Sequence, residues 1–459
     1  MVSSSSEAGA ARPRVGDPVR SRGVRPGPAR ARASRVGLAA LLLVVGCAAP
    51  PAAPEPAPEP VERAAAVSTA SLTGLDVLAR DGFAPLRGRR VGLVGNQTSI
   101  DRQGRHAIDL LAAAPDVALV ALLSPEHGLR GDQDAKVPSG VDARTGLPVH
   151  SLYGEARRPT DAMLAGLDTL VFDVQDVGVR FYTYISTLGL VLEEAARRGL
   201  RVVVLDRPNP IGGLAFDGPV QDPDLVGRFT SFWPMPVTHG MTVGEVARLM
   251  NAGLGADLQV IACEGWRRGT LQDETGLPWV NPSPNLRSVD EALLYPLVAL
   301  TEANHDLSVG RGTDRPFEYV GAPWVDGERL AAAMNARALP GLWWSATTFV
   351  PSRRDVTGRE NVAYPFAEQV CRGVRVVVTD RRALRPVEAG VHLLDALLRL
   401  HPERYRVDRL RGLIGAGWVL EALGRGDDPA AIVARWRADP ALAAFARARA
   451  QALLYPEGS

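Results

Sequence analysis

Short apolar runs, each closed by a polar loop, recur from residue 90 onward. Arg90-Val91-Gly92-Leu93-Val94 reads as a buried strand ending in Gly95-Asn96-Gln97-Thr98. His106 to Ala113 has helical texture. Val117 to Leu123 reads as a second strand and runs into Ser124-Pro125-Glu126-His127-Gly128. Thr169-Leu170-Val171-Phe172 reads as a third, ending in Asp173-Val174-Gln175-Asp176. Tyr182 to Arg198 predicts a long helix with Gly199 as its C-cap signal. Arg201 to Leu205 predicts a fourth strand, closed by Asp206-Arg207-Pro208-Asn209-Pro210. Continuous apolar strands separated by helices indicate a parallel sheet covered on both faces. Ligands of such sheets lie beyond the carboxyl ends of the strands. Four successive strands here end in loops that can bind or ionise, which places a candidate site on that edge.

Further along, Thr242 with Glu245 three residues later has the capping-box pattern of a helix start. Asp257 to Ala262 can form another strand. The texture changes near Tyr295-Pro296, and a domain boundary is expected near residue 298. Beyond it, Val374 to Val378 reads as a strand and Val387 to Leu400 as one of several helices. The expected organisation is a sheet domain over 71–298 and a smaller α/β domain over 299–459.

Composition changes this picture mainly at the N-terminus. Of 459 residues 46% are apolar and 22% charged, ordinary for a globular chain, and the formal net charge is +1. Eight arginines and two acids lie in the first 46 residues, so the remainder carries 44 basic and 49 acidic residues. A mildly acidic body argues against nucleic acid as a partner. Arg30, Arg32 and Arg35 precede an apolar run from Val36 to Val45 that suits a signal-peptide core. The run ends in Val44-Val45-Gly46-Cys47, similar to a lipoprotein lipobox. Export is therefore expected, with cleavage before Cys47, a lipid on its thiol, and a periplasm-facing body. An uncleaved anchor or a misplaced start codon is the alternative. The Pro/Ala-rich segment over 47–70 reads as an extended tether. Cys263 and Cys371 could form one disulfide, though two free thiols are expected.

The strand-end loops supply the candidate chemistry. Glu126, stiffened by Pro125 and followed by Gly128, suits a general acid; its alternative is a loop carboxylate paired with Arg130. His127 could orient Glu126 or bind substrate. Asp173 and Asp176 flank Gln175 and could hold a metal, share acid–base duty or cap the coming helix, with Arg180 and Tyr182 in pairing range. The loop holding Asn209 is either a ligand contact or a rigid turn. Asn281-Pro282-Ser283-Pro284-Asn285 presents two amides, which read sugar hydroxyls well, or is a linker. Ser308 to Glu318 is Gly-rich and carries Arg311 and Arg315, able to clamp an anion. Trp233, Trp279 and Trp324 could stack on a sugar ring or pack in the core. The dinucleotide fingerprint, the P-loop and the Gly-x-Ser-x-Gly elbow are absent, Lys136 is the only lysine, and no Cys/His cluster suggests zinc. Neither a cofactor nor a bound metal is expected.

Seven stretches, in order, resemble a bacterial family of exo-β-N-acetylmuramidases. They are Val91 to Thr98, Ser124 to Gly131, Phe172 to Thr187, Leu205 to Gly213, Pro236 to Glu245, Pro282 to Asn285 and Gly310 to Trp324. The resemblance implies a Rossmann-like domain, a smaller domain closing over it, and a site in the cleft between them. It implies hydrolysis of terminal β-1,4-linked N-acetylmuramic acid from peptidoglycan fragments. Glu126 then becomes the leading catalytic residue, with Glu318 or Asp173 as the second carboxyl group. Substrate contacts are expected from Asn96, Gln97, His127, Gln175, Arg180, Tyr182, Asn209, His239 and Asn285. Arg311 or Arg315 is expected to clamp the lactyl carboxylate.

Overall fold

The computed structural model describes residues 71–456 except 127, 130–138, 155, 303–305, 356–357, 359 and 361–363. The expected signal segment, Cys47, the tether and His127 lie outside the described residues. All the described residues belong to one compact unit.

The first sheet has seven strands: β1 (Arg90–Gly95), β2 (Ala118–Ser124), β3 (Gly140–Val141), β4 (Pro148–Ser151), β5 (Thr169–Asp173), β6 (Arg201–Leu205) and β7 (Asp257–Ile261). Their order is β3-β4-β2-β1-β5-β6-β7. All pairings are parallel except β3 with β4. Leaving out β3, this is the doubly wound order of a Rossmann-like sheet, with its topological switch between β1 and β5. The antiparallel edge departs from the all-parallel expectation. Two residues of β3 and four of β4 are too few to show a strand pattern in sequence.

The continuous apolar runs are explained by two covered faces. Leu170 and Phe172 of β5, and Val202 and Val204 of β6, point into the larger core. Val171, Val203 and Leu205 alternate to the opposite face with Leu75 and Leu78 of α1 (Gly74–Arg80) and Leu111 of α2 (Ala107–Ala112). The larger core packs α3 (Tyr184–Arg198) and α4 (Val243–Leu254) against the sheet. Gly189 of α3 has no room for a side chain, since an added Cβ would lie 2.0 Å from the Phe232 ring. That close approach brings the 226–233 segment over the start of α3. The capping box of Thr242 and Glu245 forms as the sequence predicts. The helix expected from Tyr182 begins at Tyr184 instead, which leaves Tyr182 and Thr183 as loop residues.

The rest of the chain holds α5 (Val289–Val298), a turn of 3-10 helix over Ala299–Thr301, β8 (Tyr319–Ala322), α6 (Gly327–Asn335), β9 (Leu342–Phe349) and β10 (Cys371–Val378). These strands form an antiparallel sheet in the order β8-β10-β9. α7 (Pro386–Leu400) packs on α5 and α6 and is followed by α8 (Arg411–Ile414), α9 (Gly417–Arg425), α10 (Pro429–Arg437) and α11 (Pro440–Ala452). α11 returns to α4 of the first sheet region. Cys263 and Cys371 are buried free thiols.

Candidate active site

β2 carries the chain to Ser124 at the carboxyl edge of the sheet. Gly128 then donates its N–H to Pro125 O at 3.2 Å and takes φ 78°, closing a tight turn. Glu126 projects from that turn toward the first residues of α3. Thr183, the N-cap, makes no side-chain bond to its own helix. Its hydroxyl donates instead to Glu126 Oε2 at 2.6 Å. The Tyr184 hydroxyl adds contacts to Glu126 O at 3.3 Å and Pro282 O at 2.9 Å.

Glu126 lines a cleft of about 410 Å³ to which both halves of the protein contribute. Glu302, just past the 3-10 turn, and Arg311 also line it and are ion-paired through Arg311 Nε. Arg311 also lies 5.4 Å from the centre of the Phe317 ring. Phe317 has φ 62°, costly for a bulky residue and found where surrounding structure enforces it. Here the strain turns the ring under the guanidinium. The Tyr295 ring packs edge-on at 4.9 Å to Phe317, 5.4 Å to Phe181 and 5.9 Å to Tyr182, joining the aromatic residues of the two halves. Burial pushes the Tyr182 and Tyr295 phenols up, and neighbouring groups, Glu126 among them, add to this. Both are therefore neutral hydroxyls. That of Tyr182 is buried and has no partner among the described residues. A donor so placed suits a polar group on a bound ligand. Tyr153, Arg157 and Phe229 form the remaining rim.

The cleft thus takes in three of the residues expected from sequence: Glu126, Tyr182 and Arg311. The two candidates for the second carboxyl group do not line it. Asp173 is wholly buried and receives Arg207 Nε at 2.6 Å and Nη2 at 2.9 Å. Glu318 is held by Arg315 at 3.0 Å and Arg375 at 3.0 Å. Both acids are thereby committed to structural ion pairs, and Arg315 with them. Glu302 is the other carboxyl group that lines the cleft among the described residues. It follows an apolar helix rather than a strand, so no strand-end signal marks it.

The remaining expected contacts build the walls. Asn96 Oδ1 accepts from Thr98 N at 2.9 Å and Thr98 Oγ1 at 2.6 Å, and Gln97 Nε2 donates to Asn281 O at 2.8 Å. Gln175 Nε2 donates to Asp176 O and Pro208 O, each at 2.8 Å, and Asn209 Nδ2 to Met241 O at 3.0 Å. Asn285 is buried and donates to the Tyr364 hydroxyl at 3.2 Å. His239 Nε2 faces Asp176 Oδ2 at 3.1 Å in a fully buried pair. Arg180 is buried with no carboxylate partner among the described residues and donates to Thr230 O at 3.2 Å, Ser231 Oγ at 2.6 Å and Leu413 O. Burial pushes its guanidinium down to about 10. Since Thr230 and Leu413 line the cleft, Arg180 acts as a strut behind it. With Asp173 on Arg207 and Asp176 on His239, these acids do not converge on a metal. No group of three or more His, Cys, Asp or Glu able to hold one occurs among the described residues. Trp233 and Trp324 pack against the core. Trp279 lines a separate small cavity of about 20 Å³ with Gln175 and Arg207.

Two carboxyl groups lining one cleft with an aromatic floor can carry out acid–base cleavage of an acetal. Comparison with known proteins bears on this geometry. Residues 91–290 match the model of the N-terminal part of exo-β-N-acetylmuramidase NamZ, and 293–455 that of its C-terminal part. A Bacillus subtilis (strain 168) protein named peptidoglycan β-N-acetylmuramidase NamZ is 37% identical over 390 residues, covering 83% of this chain and 91% of that one. Two DUF1343 family proteins of Bacteroides fragilis NCTC 9343 have similar crystal structures. One gives a TM-score of 0.76 at 34% identity, the other 0.67 at 29%, and each comparison covers 84% of this chain and 99% of the other.

Proposed function

The chain belongs to the exo-β-N-acetylmuramidase NamZ family, and from that membership we propose that it releases terminal, non-reducing β-1,4-linked N-acetylmuramic acid from peptidoglycan fragments. The observation that carries the site assignment is the placement of Glu126 and Glu302 on one cleft at the carboxyl edge of the parallel sheet. Glu126 is the general acid. It hands its proton to the glycosidic oxygen as the bond to the anomeric carbon breaks. The Thr183 hydroxyl fixes which Glu126 oxygen faces inward. Glu302, oriented by Arg311, supplies the second carboxylate. It either takes a proton from the attacking water or attacks the anomeric carbon itself. The anomer first released, read by NMR, distinguishes these two roles. The buried Tyr182 hydroxyl is a donor for the ring substituents.

The test uses the soluble body and a chromogenic β-N-acetylmuramide. Wild type should release the chromophore, and Glu126→Gln should lower kcat about a hundredfold to ten-thousandfold. Failure of wild type to turn over would sink the activity; full activity of Glu126→Gln would sink the assignment.

We also propose that the enzyme is exported and lipid-anchored through Cys47, which would hold it where wall fragments arise. The lipobox-like Val44-Val45-Gly46-Cys47 supports this reading. Labelled fatty acid should enter wild type in the producing cell and not Cys47→Ala.

A further inference from the structure

N-acetylmuramic acid differs from N-acetylglucosamine by a carboxylate-bearing ether, so a site that separates the two sugars needs a cation to read it. Among the described residues, the other candidate guanidinium groups are engaged. Arg311 is paired with Glu302, Arg315 and Arg375 with Glu318, and Arg158 with Glu193 and Glu194. Arg180 is buried on carbonyl groups and Ser231. Arg157 is different. It is exposed, it lines the cleft, and no carboxylate pairs with it among the described residues. Its guanidinium carbon lies 4.3 Å from the centre of the Phe229 ring and 5.9 Å from that of Tyr153, both half-buried residues of the same cleft. The two rings are themselves 6.1 Å apart. Stacking against an aromatic face restricts the side chain, shields one side of it from water and leaves its N–H edge available.

We infer that Arg157 is the specificity determinant of this site, reading the lactyl carboxylate of the terminal muramyl residue through charge-assisted hydrogen bonds. The inference rests on the muramidase reading and moves the clamp from Arg311 and Arg315 to Arg157. Phe229 and Tyr153 act through Arg157 by holding its plane. The 226–233 segment bearing Phe229 is anchored in turn by Ser186 Oγ, which donates to Phe229 O at 2.7 Å. Arg311, neutralised by Glu302, is left to orient a catalytic carboxylate.

The experiment compares 4-nitrophenyl β-N-acetylmuramide with its lactyl methyl ester, using wild type, Arg157→Met and Arg157→Lys. Wild type should favour the acid in kcat/KM, mainly through KM. Arg157→Met should reduce that preference about tenfold to a hundredfold, the range of a charged hydrogen bond. Arg157→Lys should recover part of it. An undiminished preference in Arg157→Met, or an equal loss on acid and ester, overturns the assignment. So does a wild type with no preference. Calorimetry with free N-acetylmuramic acid and N-acetylglucosamine makes the same comparison without turnover. A wild type that cleaves neither substrate but binds the acid sugar preferentially, and loses this in Arg157→Met, would reject the enzymatic reading and keep the Arg157 assignment.

Discussion

Thr183 Oγ1 donates to Glu126 Oε2 at 2.6 Å, so the residue that would ordinarily cap α3 serves the carboxyl group at the end of β2. The bond joins two elements that reach the cleft from different strands of the sheet. Thr183→Val keeps the side-chain shape and removes the donor. It should lower kcat by about tenfold, in line with loss of one hydrogen bond that positions the carboxyl group, with a melting temperature near wild type. Thr183→Ser should restore the rate. Equal rates for Val and wild type would show that Glu126 is positioned by other contacts.

Glu302 and Arg311 should behave as one unit. Glu302→Gln is expected to lower kcat about a hundredfold or more, and Arg311→Met to lower it less. The double substitution should be no worse than Glu302→Gln alone, a coupling of about 1–3 kcal/mol between contacting residues. Additive losses in this double-mutant cycle would mean that Arg311 contacts substrate independently.

Glu291 gives a pH test of stability away from the cleft. Burial pushes its carboxyl up to about 7, although Arg287 N–H donates to it. Below the unfolded value both states are protonated. As pH rises toward 7 the unfolded chain releases the proton first, so wild type loses stability across that window. Glu291→Gln keeps the shape and the acceptor but does not titrate. Denaturant unfolding should therefore find Glu291→Gln gaining about 1–3 kcal/mol relative to wild type between pH 5 and pH 7.5. A constant difference would contradict the buried acid.

Tyr455 tests how the C-terminal end of the described chain is joined to the first sheet region. Its hydroxyl donates to Asp206 Oδ2 and accepts from Cys263 N at 2.8 Å. Burial also pushes Asp206 up to about 6. Tyr455→Phe should destabilise the fold by about 1–3 kcal/mol in urea while leaving kcat unchanged, since none of these groups lines the cleft. A matching fall in kcat would tie this latch to the site.

The sheet was legible because burial on both faces demands unbroken apolar strands, and β6 falls where its Val-rich run predicts. The capping pair Thr242 and Glu245 was legible for a similar reason, as a local bond pattern fixes the residue types. The antiparallel edge was not, because β3 and β4 are defined by pairing with each other and with β2 rather than by their own pattern. At the site, Glu126 stood out because a strand ends beside it. Asp173 and Asn209 stood out for the same reason, yet they hold loops together. A polar residue at a strand end looks the same in sequence whether it meets a ligand or its neighbouring backbone. Glu302 and Arg157 lay beyond that signal. One follows a helix, the other sits in a loop crossing the rim, and only the closure of the chain brings them to Glu126.

The latch at Tyr455 also sets a clock. Asp206 waits for Tyr455 across 249 residues, and Glu245, paired with Arg268, waits for the Leu454 N–H across 209. At about 5–20 residues per second a ribosome needs roughly 10–50 s to span such a gap. Throughout that interval Asp206 can already accept from Thr242 and Gly244, and Glu245 from Arg268, but each lacks its last partner. The first sheet region therefore gains its last buried bonds only when residues 454 and 455 arrive, long after its Rossmann-like half has been made.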